Sequence, residues 1–76
     1  MLNNRINKKK LRQRFFVTVR AGHNFEGVLL AEDRTQAVFG DVKVYVPNDL
    51  PEQVVGDVYI RHDNVAYTQL MPHVND

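Results

Sequence analysis

The sequence predicts an all-β domain of five short strands, a strongly bent antiparallel sheet rolled into a small SH3-like barrel. Three observations predict it. From Phe15 onward the apolar period is two rather than helical. Clusters of turn-forming residues at 21–24, 33–36, 47–52 and 62–64 cut the chain into short runs. Gly27 and Gly56 stand inside two of those runs, and an interior strand glycine marks a sharp bend or a close backbone approach. A two-layer sandwich would need more strands and a larger core.

The elements follow in order. Residues 1–14 form a basic arm in which Leu2 and Ile6, then Leu11 and Phe15, lie four apart, so a short helix is expected there or an arm that orders on binding. The barrel is expected over 15–70 and a tail over 71–76. Its first strand, Phe15–Arg20, puts Val17 and Val19 on one face, and Ala21-Gly22-His23-Asn24 turns the chain. The second strand is Phe25–Glu32, followed by a turn at Asp33-Arg34-Thr35-Gln36. The third, Ala37–Val46, alternates most cleanly. Val38, Gly40, Val42, Val44 and Val46 share one face, with Phe39, Asp41, Lys43 and Tyr45 on the other. Pro47 and Pro51 end that ladder. The fourth strand, Gln53–Arg61, carries Val54, Gly56, Val58 and Ile60 on one face, and Val65–Gln69 is the fifth.

Size and charge bound the possibilities. A chain of 76 residues without cysteine builds one modest core and no disulfide, so self-association is the remaining route to extra stability. His23, His62 and His73 lie far apart without thiolate partners, so no metal site and no cofactor are expected. The net charge of +1 conceals an asymmetry. Residues 1–20 hold seven cations and no acid, whereas the rest hold three cations against nine acids. Lys8, Lys9, Lys10, Arg12 and Arg14 can neutralise phosphates in a salt-sensitive way, or form a solvated cap. No stretch reaches the roughly 18 apolar residues of a membrane span, and the basic N-terminus lacks a secretory apolar run of roughly 7–15 residues. A soluble, cytoplasmic protein without membrane association is the expectation. Neither a cysteine nucleophile nor a paired acid and base nor a phosphate-cradling glycine loop is present, which argues against an enzyme.

The most specific motif is Ile60-Arg61-His62-Asp63-Asn64-Val65-Ala66-Tyr67, where an apolar strand turns through three polar residues into another. So short a turn fixes an arginine and an amide relative to one another, as a small binding pocket requires. Taken alone, Arg61 could stack on a base or bridge to a neighbouring subunit. Asn64 could touch a ligand or shape the turn, and His62 could contact nucleic acid or face solvent. Asp33 could form a turn or line a pocket. Phe39, Tyr45, Val55 and Tyr59 are expected on the outward face, more apolar surface than a solitary monomer leaves wet. A ring in which edge strands pair would cover it.

Two segments together resemble the signatures of the Sm and Sm-like RNA-binding family. Val17, Val19, Gly22, Phe25, Gly27, Leu29 and Asp33 match the first, and Ile60, Arg61, Asp63, Asn64, Val65 and Tyr67 match the second. The resemblance implies a closed homo-oligomeric ring that binds single-stranded, often uridine-rich RNA around a central pore. It implies that Arg61 stacks on a base, that Gln36 takes the opposite stacking position, that Asp33 buttresses the pocket, and that His62, Asp63 and Asn64 line the pore. Ala37 stands where the family has a base-reading asparagine and His62 where it has glycine. Weakened uridine selectivity is therefore expected. The alternative is a ring serving as a structural or protein-interaction module.

Overall fold

The computed structural model describes residues 10–72. Its strands are β1 (Arg14–Val19), β2 (Phe25–Glu32), β3 (Gln36–Val44), β4 (Glu52–Gln53), β5 (Val58–Arg61) and β6 (Val65–Leu70). The short N-terminal helix expected over 1–14 falls mainly on residues outside those described. β1 begins at Arg14, one residue ahead of expectation, and β2 has the bounds the sequence predicts. No described helix is long and apolar enough to cross a membrane.

All pairings are antiparallel, in the order β4-β3-β2-β1-β6, with β5 also on β3. A single three-residue 3-10 turn, His62–Asn64, joins β5 to β6. Those two strands lie at opposite margins of the sheet, about 19 Å apart if it were flat. A 3-10 turn advances only about 2 Å per residue, so the sheet must roll until its margins meet.

The expected fourth strand is divided into β4 and β5. Both halves lie along β3, but Val54–Asp57 interrupts the ladder and Gly56 takes φ +97°. The interruption lies beside a bend in β3, where Asp41 adopts φ +49°. There β3 carries an extra residue relative to β2, between the pairs Glu26↔Lys43 and Val28↔Gly40. A bulge of this kind shifts every later side chain to the opposite face. Phe39 is therefore buried with Ala37, not outward with Asp41, and Val42 resumes the inward face beyond the bend. The strict alternation expected along β3 holds on each side of Gly40–Asp41 but not across it. Val55 and Tyr59 are exposed as expected.

Phe15, Val17, Phe25, Leu29, Ala37, Phe39, Val42 and Ile60 form the core, with Phe25 and Phe39 packed edge to face at 5.4 Å. Gly27 is required by close approach. A Cβ there would meet Val42 Cγ2 at 2.8 Å and the Gly40 carbonyl at 3.1 Å. Outside the core, Glu26 is the buried charged residue. It accepts from Arg14 Nη1 at 3.0 Å and from the Tyr45 hydroxyl, which also holds the Tyr45 ring against Phe16. That hydrogen bond pushes the Tyr45 hydroxyl above the usual tyrosine range.

Candidate nucleic-acid interface

The turn after β5 is held from both sides. Arg61 retains extended backbone, and the Val65 N–H closes the turn on the His62 carbonyl. None of residues 61–64 has positive φ, so the turn does not demand glycine and tolerates His62 without strain. On one side, the Asn64 carboxamide bonds both ways to Ala21. Its Oδ1 accepts from the Ala21 N–H at 3.0 Å, and its Nδ2 donates to the Ala21 carbonyl at 3.1 Å. The Asn64 carbonyl also accepts from the Arg20 N–H at 2.8 Å. Asn64 is thus a cross-brace to the β1–β2 loop rather than a free amide.

On the other side lies the β2–β3 turn. Asp33 Oδ1 accepts from the N–H groups of Thr35 (2.7 Å) and Gln36 (2.9 Å), the self-bonded turn that Asp commonly makes. The Gln36 bond first, then the Thr35 bond, hold the Asp33 carboxyl below the usual carboxylate range. His62 ties this turn to the one after β5. Its N–H donates to the Thr35 carbonyl at 2.8 Å, and its Nε2 lies 2.7 Å from the Asp33 carbonyl.

Arg61 emerges between the two turns. Gln36 is its direct partner across β3 and β5. The guanidinium donates through Nε and Nη2 to the two carboxylate oxygens of Asp63, at 3.3 and 3.2 Å, with both side chains largely exposed. So exposed a pair adds little stability, but the two-point contact sets the orientation of the guanidinium plane.

The structure therefore gathers Asp33, Gln36, Arg61, His62 and Asp63 at one end of β3, and uses Asn64 to brace that group. Arg14, expected among the phosphate contacts, is committed instead to Glu26 and Asp41, because β1 carries it onto the sheet beside them. Lys10 lies 3.7 Å from Glu32 Oε1, and Arg12 is exposed; Lys8 and Lys9 fall outside the described residues. Sequence reasoning missed Glu32, which faces both Lys10 and His62. It also missed Asn24, whose Oδ1 accepts from the Val19 N–H at 3.1 Å. Nothing local in the sequence marks either contact.

No protein-family model matches the chain, and no curated protein matches it. Solved structures do. The P. aerophilum SmAP1 heptamer superposes with a TM-score of 0.76 at 18% identity, over 87% of this chain and 88% of that one. The fold is the Sm fold. A heptameric archaeal Sm protein matches with a TM-score of 0.74 at 18% identity, over 86% of this chain and 94% of the other. The Pyrococcus abyssii Sm protein, solved in complex with a uridine heptamer, matches at 0.71 and 23% identity, over 84% and 90%. The Sm fold accordingly accounts for nearly the whole of both partners in each comparison.

Proposed function

We propose that the chain forms a closed homo-oligomeric ring that binds single-stranded RNA around its pore, with weakened uridine selectivity and no catalysis. The observation that carries this reading is the pairing of Gln36 with Arg61 across β3 and β5, the guanidinium oriented by Asp63 and open to solvent. A guanidinium over a base face is a cation–π contact, contributing about 0.5–2 kcal/mol. In this reading Arg61 stacks, Gln36 closes the other face, Asp33 and His62 shape the turn beneath, and Asn64 fixes the distance to the β1–β2 loop. Lys8, Lys9, Lys10 and Arg12 supply phosphate contacts. Ala37 is buried in the core and offers a base no side-chain hydrogen bond, which supports weak discrimination among bases.

Ring formation is supported by the sheet margins. Among the described residues, β5 pairs only with β3 and β6 only with β1, leaving one side of each strand without a backbone partner. Tyr59 on β5 and Tyr67 and Leu70 on β6 are exposed there. A neighbour's β6 laid along β5 satisfies both the backbone and the apolar side chains. The heptameric state of two similar structures and the uridine heptamer bound to a third are consistent with this assembly.

The test is a titration of labelled uridine and adenosine oligomers at two salt concentrations, with native mass spectrometry of the same protein. A discrete ring and binding weakened by Arg61→Ala are the expected results. Binding that survives Arg61→Ala but disappears on removal of residues 1–9 would place the nucleic acid on the arm alone. A ring that binds neither oligomer at low salt would make the assembly a structural module.

A further inference from the structure

We propose that His62 is the positioning residue of this site. Its imidazole locks the β2–β3 turn to the turn after β5, so that Gln36 and Arg61 keep a fixed spacing. The inference rests on the RNA-binding reading for its affinity readout, but the lock itself is a property of the free protein.

The geometry is specific. A carbonyl oxygen only accepts, so the 2.7 Å contact with Asp33 requires that Nε2 carry the hydrogen. With the backbone bond from the His62 N–H to Thr35, two hydrogen bonds cross between turns that the sequence separates by 29 residues. The imidazole is half-buried and lines a recess with Lys10, Glu32 and the core side chains Phe15, Leu29 and Phe39.

Glu32 on β2 reaches the same recess, with Oε2 3.7 Å from the His62 Nε2 and Oε1 3.7 Å from the Lys10 Nζ. Arg61 and Asp63 on the same turn are paired with each other.

The experiment compares His62→Gly, His62→Leu and His62→Gln with the wild type in the full chain. Uridine-oligomer affinity is measured at a single pH and salt concentration. Amide exchange of Thr35 and Gln36 is followed without RNA. H62G and H62L are expected to weaken binding about fivefold, the effect of one ordinary hydrogen bond, and to speed exchange at both amides. H62Q can still donate to the Asp33 carbonyl, so it restores slow exchange and affinity. Tighter binding by H62G would overturn the proposal, since the imidazole would then be an obstruction. Unchanged exchange in H62L would overturn it as well. If Arg61→Ala leaves affinity untouched, the RNA reading fails, while the exchange measurement still decides whether His62 is the lock.

Discussion

The Gln36 end of β3 and the segment that follows β3 are built by opposite means. At the Gln36 end, two turns are cross-braced by His62 and by Asp33, and Asn64 ties the assembly to a third loop. In the segment after β3, residues 47–53 are all exposed, Leu50 is 82% exposed and, further on, Val55 98%. One region fixes polar groups in place with bonds between distant residues. The other leaves apolar side chains in water. The contrast teaches where in this barrel spatial accuracy is imposed.

The comparison can be broken most forcefully at Asn64. Asn64→Ala removes both side-chain bonds to Ala21 and should lower stability by about 1–2 kcal/mol, read as a denaturant midpoint shift. A midpoint unchanged from wild type would mean that the brace is ornamental. Arg61→Ala comes next. It should leave that midpoint alone, because the Asp63 pair is exposed, yet weaken uridine-oligomer binding at least about tenfold by loss of stacking.

Acid sharpens the contrast further. The Asp33 carboxyl is held below its unfolded value, so its contribution is present above the ordinary aspartate range and is lost as pH falls through the depressed folded value. Protection of the Thr35 and Gln36 amides, taken relative to the free-amide rate at each pH, should therefore fall only in acid, and Asp33→Asn should remove that dependence. The smallest effect is expected in the segment that follows β3. Leu50→Ser and Val55→Ser should change stability by no more than about 0.5 kcal/mol and leave RNA affinity unaltered. A large loss from either would show that this segment carries a contact that its exposure conceals.

Much of the barrel was legible because its determinants are local. Period-two alternation and the turn residues at 33–36 and 62–64 marked most of the strands, β2 to the residue, but not the division of the expected fourth strand. The bend at Gly40–Asp41 was not legible, because valines occur on both sides of it and alternation read along the chain passes straight through a bulge. Phe39 was accordingly assigned to the wrong face. At the site, the short polar turn and the exposed arginine could be read directly. The bonds from Asn64 to Ala21 and from His62 to Asp33 could not, since they join residues 43 and 29 apart that meet only once the sheet has rolled.

The three-residue link between β5 and β6 has one further consequence. In the proposed ring it would make each copy a wedge, because β5 and β6, the margins that would meet neighbours, are hinged on a single tight corner. In a closed assembly the opening of that wedge dictates how many protomers complete the circle. An extra residue inserted between His62 and Asn64 would widen the corner, and the number of copies per ring should change before the barrel itself gives way.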